Sequence, residues 1–193
     1  MLRFIAGMIV AVLLLGVGVY CYFAGGFAPT ATDAKALPFE ESLAMRALHK
    51  RADKEAPKDV PIPVNADNMM NGAMVYTDQC SVCHGLPNKD RTSIAAGMFP
   101  RPPQLFKGTG VTDDPAGETY WKVKNGIRLT GMPAFKNTLS DKEIWQVSIL
   151  LANADKIDAT TRKMLETATP TLQPKAASPG APPQPDKGAD HSH

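Results

Sequence analysis

The longest apolar run opens the chain. No charged residue interrupts Phe4 to Phe23; Arg3 precedes the run, and the next charge is Asp33. About 20 apolar residues at ~1.5 Å each cross a hydrocarbon core ~30 Å thick, so the pattern predicts a membrane-spanning helix over residues 1–24. The basic residue before it favours an N-terminus on the cytoplasmic side. The rival is a cleaved signal peptide, whose apolar region is normally shorter, about 7–15 residues. A small-x-small site does occur at Gly26-Phe27-Ala28, but Pro29 follows it. A lipoprotein signal needs a small residue before its cysteine. Tyr20 stands there, so Cys21 reads as an ordinary membrane residue.

Beyond the run the periodicity is helical and interrupted. Gly25 to Pro38 predicts a flexible connection. Phe39 to Ala56 predicts a helix with a narrow apolar stripe, marginal or at the surface, between many charges. His49 on it reads as solvated. Pro57, Pro61 and Pro63 then end regular structure, so residues 25–64 form an expected stalk. Asn65 to Gln79 predicts a helix capped by Asn65 or Asp67. Gly72 in its middle costs ~1 kcal/mol relative to Ala, a cost best tolerated where a second helix crosses closely. Residues 85–110 predict a long loop broken by Gly and Pro, needing little helix. Asp114 to Gly126 predicts a short helix. Ser140 to Ala154 predicts the clearest one, opened by the capping box Ser140-Asp141-Lys142-Glu143. On it Trp145 and Ile149 are candidates to cross the Gly72 helix. Another short helix is expected over Ala159 to Thr167, followed by a Pro- and Ala-rich disordered tail. Strand signals are almost absent, so the fold class is all-α. The expected divisions are 1–24, 25–64, 65–156 and 157–193.

Composition narrows the functions. The chain has 193 residues and a net charge of +2, with no Lys/Arg-rich run, which excludes an electrostatic case for nucleic acid. It shows no internal repeat, phosphate-binding Gly loop or nucleophile elbow. Of its three cysteines, Cys21 lies in the apolar run and the other two form one motif.

That motif is Cys80-Ser81-Val82-Cys83-His84, the attachment signature of c-type haem. Each thiol adds across one vinyl group, and the two-residue gap lets one helical turn reach both. The adjacent His84 then donates a ring nitrogen as fifth iron ligand. Read as zinc ligands, Cys80, Cys83 and His84 lack a fourth partner at familiar spacing. A thioredoxin-like reading lacks its strand–helix–strand context. For the sixth iron position Met132 is the candidate. Pro133 holds its backbone extended, and Gly131 allows close approach. Met98, in the loop just after His84, is expected to stay on the His84 side. His/Met ligation raises the reduction potential and leaves no open position for a substrate.

With these residues in view, the segment from 65 to 154 resembles a class I cytochrome c, in particular membrane-anchored, monohaem bacterial members. The resemblance is carried by Cys80 to His84, by Phe99-Pro100-Arg101-Pro102-Pro103-Gln104-Leu105, by Asn125 through Phe135 and by Leu139 through Trp145. It implies a class I cytochrome c fold around one covalently attached haem c, preceded here by the transmembrane helix and stalk. It also implies that the Pro103 carbonyl accepts the second ring N–H of His84 and that Leu105 packs on the ring. Arg101, beside these prolines, reads equally well as a propionate partner or as a solvated side chain.

The expected function is single-electron transfer by a carrier, not an enzyme, with its haem domain in the periplasm and its anchor in the bacterial inner membrane. Partners would be respiratory or dehydrogenase redox proteins, with no nucleic acid and no small-molecule substrate. Lys122, Lys124, Arg128 and Lys136 are candidates to steer an acidic partner. A permanently docked electron-wiring subunit fits the same sequence. A haem enzyme or gas sensor would need an open sixth position, against which Met132 argues.

Overall fold

The computed structural model describes residues 1–107 and 113–170. The expected disordered tail, with His191 and His193, falls outside the described residues apart from its first positions. Every regular element among the described residues is helical. The chain divides into two compact units, Met1–Ala44 and a second from Met45 onward.

The first unit holds α1, Leu2–Ala24, with mean hydropathy 2.5 and no buried residue. At ~1.5 Å per residue, its 23 residues are long and apolar enough to cross a membrane. α2, Glu40–Glu55, begins in this unit, with Glu40 and Glu41 in its first turn.

The second unit is built on a crossing of α3, Ala66–Gln79, with α7, Asp141–Ala152. Asn65 caps α3 by accepting the Asn68 N–H at 2.9 Å. Ser140 and Glu143 form the reciprocal capping box of α7. The crossing lies at Gly72, where an added Cβ would stand 2.2 Å from the Gln146 carbonyl oxygen. The two backbones touch, which only glycine permits. Gln146 Nε2 donates to Asn68 Oδ1 at 2.9 Å one turn away. Tyr76, Ile144, Val147 and Leu150 close the core around the crossing.

Trp145 shares the core cluster with α3 but does not supply the atoms nearest Gly72. It stacks on Tyr120 of α6, Ala116–Asn125, with ring centroids 4.2 Å apart. Gly72 instead meets Gln146 and Val147, one and two positions further on. Tyr120 also donates its hydroxyl to Asp141 Oδ1 at 2.9 Å, and Lys124 reaches the same oxygen at 3.0 Å, so α6 is tied to the first turn of α7. α8, Ala159–Thr167, is capped by Asp158 and packs on α3 through fully buried Leu165.

Two short helices lie between α3 and α6: α4, Ser81–His84, and α5, Ser93–Gly97. α5 falls inside the expected loop. Its start follows from Thr92, which accepts the Ala95 N–H at 3.1 Å while donating to the Val82 carbonyl.

The stalk reading of residues 25–64 set the second helix apart from the head. The part of α2 from Met45 onward instead belongs to the second unit. Ala52 is fully buried, Trp121 Nε1 donates to Glu55 at 3.1 Å, and Ile62 packs on the core. A Cβ at Gly117 would lie 1.9 Å from the Pro57 carbonyl oxygen, so the segment after α2 rests directly on α6. The small residue Ala52 concealed this face in the sequence.

Gly72→Ala sets about 1–3 kcal/mol of overpacking against about 1 kcal/mol of helix propensity. A lower Tm in thermal denaturation is expected. Hydrogen bonds from Lys124 first, and Tyr120 second, hold the Asp141 carboxyl below its usual 3.8. A depressed carboxylate stabilises the fold above its unfolded pKa and loses that contribution as pH falls through the folded value. Asp141→Asn should therefore cost at most about 1 kcal/mol at neutral pH, as for other largely exposed pairs. Denaturant unfolding followed against pH should show this gap closing below pH 3.8.

Candidate functional site: a cavity around the Cys-Cys-His turn

α3 runs into the motif with Cys80 as its C-cap, and α4 continues as one turn carrying Cys83 and His84. Ser81 fixes the junction by donating to the Thr77 carbonyl at 2.6 Å. Gly85 ends the turn at φ +75°, a backbone open to glycine at no steric cost. Its carbonyl accepts the buried Tyr76 hydroxyl at 2.7 Å, and its missing side chain makes room for Gln104. Phe106 meets the Tyr76 ring edge-on at 5.0 Å.

His84 Nδ1 donates to the Pro103 carbonyl at 2.9 Å. That bond places the proton of the neutral ring on Nδ1 and leaves the Nε2 lone pair available to a metal. Burial pushes the His84 pKa down; the Pro103 bond opposes this, and the charge of Arg91 adds to the lowering. The neutral, ligating form is therefore favoured. Burial first, and the charge of Cys83 second, pushes the Cys80 thiol up to about 12. Burial also raises the Cys83 thiol.

The Met132 loop is pinned to the end of α6. Phe135 N donates to the Val123 carbonyl at 3.0 Å and Ile127 N to the Met132 carbonyl at 3.2 Å. Thr130 Oγ1 accepts the Met132 N–H at 3.1 Å. Gly126, at φ +67°, lets the loop backbone pass where a Cβ would lie 2.7 Å from Ala134 N.

Cys80, Cys83, His84, Pro103, Leu105 and Met132 all line one cavity of about 300 Å³. Arg101 lines it too, with an exposed side chain. The remaining wall is mainly apolar, with Val123, Ile127, Phe135, Val147 and Leu151 among its members. An apolar slot with two thiols, one free imidazole nitrogen and one thioether fits a covalently held porphyrin and its iron. Among the described residues, no group of three or more His, Cys, Asp or Glu could hold a metal ion, so the zinc reading gains no ligand set.

Three placements differ from expectation. Met98 does not keep to the His84 side: its methyl group packs at the position a Gly131 Cβ would take, beside Met132. Lys122, only 16% exposed, is clamped by Asp114 at 2.6 Å and Glu118 at 2.9 Å. Lys124 is paired with Asp141. Of the four candidate steering cations, Arg128 and Lys136 are the exposed ones. Sequence reasoning also missed Arg91, which donates to the Pro102 carbonyl at 2.5 Å and so holds the loop carrying Pro103. Only its place after the motif, in a loop that must fold back, could have signalled this role.

Residues 67–149 match the family model described as cytochrome C oxidase, cbb3-type, subunit III. One similar solved structure is the Kuenenia stuttgartiensis reducing HAO-like protein complex Kustc0457/Kustc0458. It has 22% identity and a TM-score of 0.40, over 52% of this chain and 52% of that one. The likeness thus spans about half of that chain. No curated protein matches. The matched segment and its motif define a cytochrome c domain. That domain carries covalently bound haem c, and the chain resembles the membrane-anchored monohaem cytochromes.

Tyr76→Phe removes the donor to the Gly85 carbonyl beside His84. A loss of about 1–3 kcal/mol is expected for the orphaned buried acceptor. Thermal denaturation of the holoprotein should show it, with an unchanged haem spectrum.

Proposed function

We propose that this protein is an electron carrier, a monohaem c-type cytochrome tethered by α1 to a bacterial inner membrane, its haem domain in the periplasm. Cys80 and Cys83 would hold the cofactor covalently, and His84 and Met132 would ligate its iron. One observation carries this reading. Met132 lines the same apolar cavity as the Cys-Cys-His turn, on a loop fixed at both ends by backbone hydrogen bonds to α6 and its flank.

The haem iron supplies a one-electron couple between its ferric and ferrous states. The chain sets the terms of that couple. Pro103 orients the His84 ring and makes it more basic. A neutral thioether at the sixth position favours the ferrous state, and the apolar wall disfavours the additional positive charge of the ferric state. Both terms raise the reduction potential. With His84 and Met132 both holding the iron, the site would exchange electrons and would leave no position for a substrate. Respiratory or dehydrogenase redox proteins are the proposed donors and acceptors. Of the four candidate steering cations, the exposed Arg128 and Lys136 are available for a small, quickly released interface. Residues 1–24 serve as anchor and residues 65–156 as cytochrome domain.

Visible spectra of the holoprotein test the ligand set. The expected result is a low-spin haem indifferent to carbon monoxide. A weak long-wavelength band in the ferric form should disappear in Met132→Ala, which gains carbon monoxide binding. A wild-type haem that is high-spin and binds carbon monoxide readily would overturn the carrier reading in favour of a sensor or enzyme.

A further inference from the structure

Met45, Leu48, Ala52 and Glu55 recur at the spacing that places them on one face of α2. The contacts show where that face looks. Ala52 is fully buried, and Glu55 accepts the Trp121 indole N–H at 3.1 Å. Met45 and Leu48 line the same cavity as Cys80, His84 and Met132. Just beyond the helix, the Pro57 carbonyl lies against Gly117, on the α6 turn next to Thr119, Lys122 and Val123 of the cavity wall. The family match begins at residue 67, so this face lies outside the matched segment.

We propose that the Met45–Glu55 part of α2 is a wall of the haem site, with Met45 and Leu48 as cofactor-contacting residues that keep water from one edge of the ring. The proposal rests on reading the cavity as the haem c site. On its α6 side the cavity also holds Asp113, Asp114 and Lys122, groups that attract water. An apolar cover over that side lowers the local dielectric and disfavours the ferric charge, so α2 holds the reduction potential up. Ala52 and the Glu55–Trp121 bond seat the cover without touching the cavity themselves.

The test is the midpoint potential of the full-length holoprotein, measured by spectroelectrochemical titration in detergent. Leu48→Asp should lower the potential and leave the low-spin spectrum intact. Ala52→Glu, which unseats the helix while keeping Met45 and Leu48, should lower it in the same direction. Ala47→Asp adds the same charge as Leu48→Asp at an exposed position on a different face of α2, and should move the potential much less. Where Ala52→Glu does not fold, judged by circular dichroism, the neutral pair Met45→Ser and Leu48→Ser supplies the second comparison. Potentials for the cavity-facing variants equal to that of Ala47→Asp would overturn the proposal. A high-spin, carbon-monoxide-binding wild type would instead remove the carrier reading, and the potential comparison would still report on the wall.

Discussion

The hydrogen bond from His84 Nδ1 to the Pro103 carbonyl is the contact on which the site depends. It joins the motif turn to the Pro-rich loop, sets the tautomer of the imidazole and leaves the Nε2 lone pair available to a metal. Much of the surrounding structure serves to hold its two ends. Ser81, Gly85 and Tyr76 fix the turn on the His84 side. Arg91 fixes the loop on the Pro103 side through the neighbouring Pro102 carbonyl. Leu105 N returns to the His84 carbonyl at 3.3 Å and closes the ring of contacts.

The helical frame gives this site its rigidity. α3 delivers the motif at its C-terminus, and its position is set by the backbone contact of Gly72 with α7. α7 in turn holds α6 through the Trp145–Tyr120 stack and the Asp141 hydrogen bonds. The end of α6 then carries the Met132 loop. A single chain of packed elements therefore runs from the Cys-Cys-His turn to the thioether across the cavity lining. Such a frame suits a centre that must change charge with little rearrangement.

Features encoded by neighbouring residues were legible in the sequence. The five-residue motif, the Ser140–Glu143 capping box, the Asn65 cap and the apolar run of α1 each have a local cause. Gly72 was legible as a crossing point because a mid-helix glycine needs a reason. Its partner was not, since Trp145 and Gln146 are adjacent and only the helix rotation decides which one faces α3. Lys122 looked like a free cation because its clamps, Asp114 and Glu118, become partners only once α6 forms and the preceding loop folds back. The inward face of α2 was hidden for a similar reason. Ala52 carries little apolar weight, and Trp121, the partner of Glu55 on the same face, lies 66 residues further along the chain.

The central claim is the pairing of His84 with Met132 on one iron. It is tested most directly by proton–carbon NMR of the ferrous holoprotein labelled at its methionine methyl groups. A methyl group held over the porphyrin face is shifted far upfield by the ring current, while the others stay near their ordinary positions. His84/Met132 ligation predicts one such signal, absent from Met132→Ala and retained in Met98→Leu. No upfield methyl signal, or one lost in Met98→Leu and kept in Met132→Ala, would contradict it.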